Sequence, residues 1–284
     1  MSSVEMMTGA VDAAFDPFAG ARALADDVRE LAARHGLEGP GVVAELVGIL
    51  GALITEPKST FPTPPEYRRA DLTAPALAAT RPVTSSHGFF DVLRARASRR
   101  DFGSAPLDAR RLSGLLHWTL GARSETMAYD YRGAPLRYVP SAGGLASIDA
   151  YAIAGRVTDL DPGSYYFDYA TGLVPVSRGA MMHRIAGMNP GQEWISHAGA
   201  VIVLVANTER VGRKYGAMGA KLTMMDAGVV AGHLELVATA LELRSCTVGG
   251  LPPERMAALL RLDDPTRIPV AAVVVGTREE HSHS

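Results

Sequence analysis

A basic cluster between Arg94 and Arg100 has the composition of an anion-binding site. Four of its seven residues are arginines, although the chain has a formal net charge of only −2. If the chain is extended from residue 96, Arg96, Ser98 and Arg100 project to one side, because side chains alternate along an extended chain. Arginine forks and a serine hydroxyl donate the hydrogen bonds that phosphate accepts. The spacing predicts an anion site that excludes Arg94 and Arg99, and the alternative is a solvated helix end with surface arginines.

Two glycine-containing turns could bring the backbone close to a ligand. Pro140–Gly144 (Pro-Ser-Ala-Gly-Gly) precedes a predicted strand, and Val248–Gly250 (Val-Gly-Gly) follows another. Glycine lacks Cβ and permits close approach of the backbone, although ordinary turn chemistry would place glycines in the same way. A third run, Gly276–Arg278, comes directly after the last predicted strand.

Lys214 and Tyr215 are the candidates for acid–base chemistry. They end a polar and basic stretch at residues 208–215. A lysine can act as a general base if burial or a nearby cation lowers its pKa, and Arg213 is adjacent in the sequence. Tyr215 could orient a substrate ring or relay a proton. The alternative is a solvated basic loop at residues 209–214.

The elements that must position these residues include both helices and strands. From apolar periodicity, caps and breakers, helices are predicted at 89–96, 106–120, 178–188, around Trp194, and at 221–243 and 252–260. Strands are predicted at 148–154, 165–169, 173–176, 200–206, 244–248 and 270–275. Residues 122–135 are polar and contain glycine, which predicts a loop. A hairpin combined with long crossovers predicts an α+β layered sheet.

The first 85 residues are predicted to form a helical N-terminal extension, separate from a main domain at 86–284. Helices are predicted at 20–35 and 42–55, and the second is so apolar that it must be buried against the main domain or a partner chain. Six prolines between Pro57 and Pro82 predict an extended connector.

Composition excludes several classes of protein. A hydrophobic content of 47% and a charged content of 20% are ordinary for a soluble globular protein, and a pI of about 6.5 argues against general nucleic-acid binding. Cys246 is the single cysteine, which excludes an internal disulfide and indicates a reducing cytoplasm. The 8 histidines show no metal-ligand spacing, so no metal is expected. The longest apolar run, at 42–54, is too short and interrupted to span a membrane.

The sequence resembles the nitroreductase-like flavin family. The likeness lies in the joint order of three motifs, namely the Arg-x-Ser-x-Arg-x-Phe start, the Pro-Ser-Ala-Gly turn and the Val-Gly-Gly turn. The resemblance covers roughly residues 88–278. Lys214-Tyr215 resembles the catalytic pair of one branch, the SagB/ThcOx-type dehydrogenases, which are the azoline oxidases of ribosomal-peptide biosynthesis. The resemblance implies an α+β nitroreductase-like fold with a mixed, mostly antiparallel sheet flanked by helices. It also implies an entwined homodimer with flavin mononucleotide (FMN) at the interface.

The resemblance further implies a role for each motif residue. Lys214 and Tyr215 would be catalytic when an azoline in a modified precursor peptide loses a proton and a hydride to become an azole, with O₂ reoxidising the flavin. A cyclodehydratase would be a partner. Arg96, Ser98, Arg100 and Arg278 would bind the phosphate and ribityl end of FMN. The residues that would line the flavin are Pro140, Ser141, Gly143, Gly144, Val248, Gly249 and Gly250.

One part of the long helix departs from the family pattern and leaves other functions open. The family usually has Gly-His followed three residues later by Asn, whereas this chain has Val229 and His233 there, and Asp226 where Glu is usual. The alternatives are an NAD(P)H-dependent nitro or quinone reductase, and another natural-product flavin dehydrogenase acting on a cyclic dipeptide or a carrier-bound ring. A catalytically silent scaffold subunit is the non-enzyme alternative.

Overall fold

The computed structural model describes residues 66–69, 71–77, 83–128, 131–216 and 218–279. The predicted helices at 20–35 and 42–55 lie outside the described residues. The helical extension and the domain boundary near residue 85 therefore stay predictions.

A six-stranded sheet forms the centre of the described structure. Its strand order is β5-β4-β3-β6-β8-β7, and all neighbouring strands are antiparallel. A separate two-stranded ribbon pairs β1 with β2. The strands are β1 (Ala122–Ala128), β2 (Tyr131–Arg137), β3 (Ile148–Ala154), β4 (Gly163–Asp168), β5 (Gly172–Arg178), β6 (Ala200–Asn207), β7 (Arg244–Val248) and β8 (Arg267–Gly276).

Helices cover both faces of the sheet. They are α1 (Phe89–Ala95), α2 (Ala109–Leu120), α3 (Met182–Ala186), α4 (Thr208–Tyr215), α5 (Met218–Ala240) and α6 (Pro253–Leu260). Short 3₁₀ helices lie at Ala142–Gly144 and Glu193–His197. None of the helices within the described ranges has both the length and the apolarity that crossing a membrane requires.

The central strands separate two hydrophobic clusters. Along β6, Ile202 and Leu204 pack with α2 and α5, whereas Val201 and Val203 pack with α3 and α6. Successive side chains of a strand point to opposite faces, so a strand covered on both faces must be apolar throughout. This burial explains why the strands at 148–154, 200–206 and 270–275 could be predicted.

Two segments differ from what their polarity indicated. Residues 122–135 were predicted as a loop, but 122–128 and 131–135 form most of the β1–β2 ribbon, in which Ala122 pairs with Arg137. Ser124 and Glu125 on this ribbon are exposed, so no apolar alternation marks the strands. Residues 208–215 form helix α4 and not a basic loop, because the Asn207 side chain caps it by accepting from the Arg210 N–H at 3.3 Å.

Candidate cofactor and catalytic site

The segment that follows α1 runs beside β7, an edge strand of the sheet. Ser98 forms a parallel bridge with Ser245, and the Arg99 N–H donates to the Ser245 carbonyl at 2.7 Å. The segment therefore extends the sheet edge by a few residues. This pairing places the arginine cluster alongside β7, whose last residue, Val248, begins the Val248–Gly250 turn.

Glu235 on α5 connects the arginine cluster to β7. One carboxylate oxygen accepts from Arg96 Nη1 at 3.3 Å. The other accepts from the Thr247 N–H at 3.0 Å and from the Thr247 hydroxyl at 2.8 Å. A buried carboxylate is stabilised by such bonds, and it holds the Arg96 guanidinium near the Val248–Gly250 turn. Sequence reasoning missed Glu235, although a carboxylate within an apolar helix was a usable signal.

The prediction that Arg96 and Arg100 project to one side is wrong. Arg96 contacts α5, whereas Arg100 lies 5.5 Å from the ring centroid of Trp194, which packs with the cluster on the other face of the sheet. Arg96, the C-cap residue of α1, already has an extended backbone, but its guanidinium is bound by the Glu235 carboxylate on α5. Arg94 pairs with Asp91 at 2.8 Å on the surface of α1.

Arg99, which the alternation excluded, shares a cavity with Arg278. The cavity has a volume of about 220 Å³ and lies between α1, the end of α5 and the start of β7. Arg244 also lines it, but its guanidinium pairs with Asp101. Among the residues that the structure describes, neither Arg99 nor Arg278 has a carboxylate partner. Asp91 and Glu242 also line the cavity, but Asp91 pairs with Arg94 and Glu242 lies 3.9 Å from Arg111. The guanidinium groups of Arg99 and Arg278 therefore remain available to an anion.

The residues in this region fit FMN by their chemistry. A phosphate needs several charge-assisted donors, and the side chains of Arg99 and Arg278 supply them at one cavity. Gly249 and Gly250 are exposed, and a Cβ added to Gly249 would meet no atom within 4 Å. A planar ring needs such open space in order to approach the backbone N–H groups of this turn.

The Ser141–Gly144 turn forms part of a second group, held by Asp226 on α5. Both carboxylate oxygens of Asp226 lie 3.0 Å from the Ala142 N–H, and one also accepts from the Ser147 hydroxyl at 2.6 Å. Burial raises the pKa of Asp226, while these hydrogen bonds oppose the rise. Gly143 has φ 60° and Gly144 has φ 69°, a left-handed conformation that glycine adopts without strain.

Lys214 and Tyr215 lie at the end of α4, close to the same turn. Leu145, directly after the turn, is fully buried against Val211 of α4, and Tyr215 packs on this pair. Lys214 Nζ lies 5.0 Å from the centroid of the Tyr215 ring. Arg213 forms an ion pair with Glu209 one turn earlier.

Most of the predicted site residues thus lie in two groups, whereas Arg100 lies against Trp194 and Arg278 lines the cavity with Arg99. The first group contains Arg96 and Val248–Gly250, and the second contains Ser141–Gly144 with Lys214 and Tyr215. Asp226 and Glu235, which hold the two groups, are nine residues apart on α5, or about 14 Å along the helix.

An exposed apolar face of α5 begins just before Asp226 and continues towards Glu235. Met224, Met225 and Val229 are 47%, 58% and 44% exposed. Gly228 and Gly232 are exposed as well, and a Cβ at either would meet no atom within 4 Å. A surface of this kind is typical of a protein–protein contact.

His233 does not take over the place of the usual asparagine. It is half-buried and hydrogen-bonds to the backbone of Trp118 on α2. Burial lowers the pKa of His233, and this hydrogen bond opposes the shift. The ring therefore faces α2.

Comparison with known proteins identifies related sequences over most of the main domain. The model of the Nitroreductase family matches residues 93–277. A protein of Methanocaldococcus jannaschii that carries the name nitroreductase is 30% identical over 191 residues, which is 67% of this chain and 91% of that protein.

Solved structures share the fold at lower identity. A protein from Ralstonia eutropha that carries the name nitroreductase has a TM-score of 0.60 and 20% identity, covering 80% of this chain and all (100%) of its own. The E. coli microcin synthetase McbBCD complex with truncated pro-MccB17 bound has a TM-score of 0.53 and 18% identity, covering 86% and 95%. These matches confirm the predicted α+β fold, with its antiparallel sheet flanked by helices.

Proposed function

This chain belongs to the nitroreductase family, and on that premise we propose that it is an FMN-dependent dehydrogenase that oxidises azolines to azoles in a ribosomally made, modified peptide. The family itself makes the chain a flavin-dependent oxidoreductase. The azoline reaction rests on one observation, the Lys214–Tyr215 pair at the end of α4, packed beside the Ser141–Gly144 turn.

FMN is the proposed cofactor. Arg96, Ser98 and Arg278 would hold its phosphate and ribityl end, and Arg99 joins them through the cavity that it shares with Arg278. Arg100, which was expected with them, lies against Trp194 and is left out. The flavin ring would be lined by the predicted turn residues, namely Pro140, Ser141, Gly143, Gly144, Val248, Gly249 and Gly250. Bound FMN would supply the redox chemistry by accepting a hydride from the substrate.

Lys214 is the proposed base. Oxidation of an azoline breaks two C–H bonds and forms one ring double bond, so the substrate loses a proton and a hydride. The carbon-bound proton is weakly acidic and needs a base within hydrogen-bonding reach. Tyr215 packs against Leu145 and Val211, which holds its ring 5.0 Å from the Lys214 side-chain nitrogen. Tyr215 would thereby keep Lys214 directed at the substrate ring or relay its proton.

The proposed active unit is an entwined homodimer. Within one chain the two groups of site residues are held at separate points of α5, by Asp226 and by Glu235. The exposed apolar face of α5, which includes Met225 and Val229, gives a second copy a surface to bury. A dimer formed there would let each site draw one group from each chain.

A modified precursor peptide and a cyclodehydratase are the proposed partners. The support is the likeness in fold to the E. coli microcin synthetase complex, which has a truncated pro-microcin bound. Cys246 is buried and is the single cysteine, so a reducing cytoplasm is the proposed compartment.

A second candidate is an NAD(P)H-dependent reductase of nitro compounds or quinones. The nitroreductase name of the M. jannaschii relative, at 30% identity, favours it. In this case NAD(P)H would be consumed with a nitroarene or quinone, without any peptide.

One experiment separates the two functions. The purified protein is expected to show a flavin absorbance spectrum and to convert a synthetic thiazoline peptide to the thiazole, seen by mass spectrometry as the loss of two hydrogen atoms per ring. NADPH oxidation with a nitroarene, together with an unchanged peptide, would establish the reductase instead. A protein without flavin absorbance, even after FMN is added, would contradict both functions.

Arg278→Ala is expected to weaken FMN binding by about tenfold to a hundredfold, because a charge-assisted hydrogen bond to the phosphate is lost. Quenching of FMN fluorescence during titration measures the dissociation constant. Arg255→Ala is the matched control, since Arg255 is an exposed arginine on α6. Equal affinities of the two variants would remove Arg278 from the cofactor site.

A further inference from the structure

A strap of four consecutive residues, Glu66–Arg69, is bound to the main domain through its side chains. The Glu66 carboxylate accepts from Arg267 at 2.6 Å. The next two contacts involve Arg68, whose Nε donates to Asp168 at 2.6 Å, and Arg69, whose Nη1 donates to the Tyr151 hydroxyl at 2.6 Å. These partners belong to strands β8, β4 and β3. The strap therefore lies in one defined place across the sheet.

The same strap contacts α4 through Arg210, one of the largest fully buried side chains among the described residues. Arg210 Nε donates to the Glu66 carbonyl at 2.6 Å, and its guanidinium lies 5.8 Å from the ring centroid of Tyr67. Nη1 donates to the Ala146 carbonyl at 2.7 Å and to Asp149 at 2.8 Å, while Nη2 donates to Asp149 at 3.1 Å. One guanidinium thus connects the strap, the segment after the Ser141–Gly144 turn, and strand β3.

Arg210 lies one helical turn before Lys214 on the eight-residue helix α4. A helix this short has little stability of its own, so its position depends on tertiary contacts. The planar guanidinium donates in fixed directions, and a buried network with its donors satisfied holds a single arrangement. The strap side of that network is made by Glu66 and Tyr67.

We infer that the strap, acting through Arg210, sets the position of α4 and therefore of Lys214 and Tyr215. The inference rests on the proposed function, in which these two residues carry the chemistry. Arg210 is then a positioning residue, since it touches none of the proposed substrate or cofactor groups. A displacement of a base by about 1 Å is enough to slow a reaction by up to a hundredfold.

The test loosens the strap without changing α4 or any residue of the proposed site. In Tyr67→Ala/Arg68→Ala the ring beside Arg210 and the ion pair with Asp168 are removed. The matched variant Tyr67→Phe/Arg68→Lys keeps the ring and the charge, and Tyr67→Ala alone is the milder variant. We expect amide hydrogen exchange in residues 208–215 to quicken about tenfold in the alanine variants, with exchange in α2 unchanged. We expect kcat for azole formation to fall about tenfold, with KM and FMN content unchanged, and the matched variant to restore both readings.

Different outcomes separate the inference from the proposed function. The inference would be overturned if amide exchange in α4 of the alanine variants were as slow as in the unaltered protein. Faster exchange in α4 with an unchanged kcat would overturn it as well. If the double alanine variant does not fold, the same two outcomes in Tyr67→Ala decide the matter. An unaltered protein that forms no azole would contradict the proposed function, and α4 exchange would still decide whether the strap holds the helix.

Discussion

Lys214→Ala is expected to lower the rate of azole formation by at least about a hundredfold while leaving FMN bound. Loss of a positioned general base has an effect of this size, because the remaining groups cannot remove a weakly acidic carbon-bound proton. Lys214 lies on α4 in the second group of site residues, apart from the arginines that would hold the phosphate. The variant should therefore keep the flavin absorbance spectrum of the unaltered protein. Conversion of a thiazoline peptide, followed by mass spectrometry, measures the rate.

Two further variants separate the role of Lys214 as a base from its charge. Lys214→Arg keeps a positive charge, but a guanidinium is not deprotonated in proteins, so this variant should be as inactive as Lys214→Ala. Lys221→Ala is the control, since Lys221 is an exposed lysine on α5, and it should leave the rate unchanged. Loss of FMN together with activity would make Lys214 a cofactor contact, and an active Lys214→Arg would exclude it as the base.

The parts of the fold that could be predicted from the sequence are those in which burial leaves a local pattern. Strand β6 is apolar at nearly every position because it is covered on both faces. Helix α5 is also apolar nearly all round, but it is buried on one side only, since Met225 and Val229 are exposed. The β1–β2 ribbon has no such mark, since exposed residues such as Ser124 and Glu125 carry no apolar alternation. The ribbon residues are polar because they are exposed, and their polarity does not indicate an irregular backbone.

The side chains of the site were harder to place, since their positions depend on contacts between distant parts of the chain. Arg96 was expected beside Arg100, but Glu235, 139 residues later, draws it towards α5. Arg210 belonged to a stretch that could be interpreted as a basic loop, yet its partners Asp149 and Glu66 are 61 and 144 residues away. The family resemblance predicts which motifs bind the cofactor. It does not predict which of their side chains lie close to one another within one folded chain.

The pairing of Asp149 with arginines has a consequence for stability. Asp149 is 2% exposed and accepts two hydrogen bonds from Arg210, and Arg137 Nη2 lies 3.6 Å from its Oδ1. Burial lowers the pKa of the Arg137 guanidinium, and the Asp149 carboxylate opposes that shift. The Asp149 carboxylate thus compensates the positive charges of two guanidinium groups that are buried in the folded protein.

Asp149→Ala is accordingly expected to lower the free energy of unfolding by about 3–5 kcal/mol, the cost of leaving a buried charge without its partner. Urea denaturation gives this value from the shift in midpoint at a constant m-value. Asp161→Ala is the control, because the Arg178–Asp161 pair is exposed at 88% and 73% of its side chains, and such pairs contribute at most about 1 kcal/mol. A loss in Asp149→Ala no larger than in Asp161→Ala would mean that water or another anion compensates the two arginines. The larger loss would instead show that the folded interior depends on the Asp149 carboxylate to compensate the charges of Arg210 and Arg137.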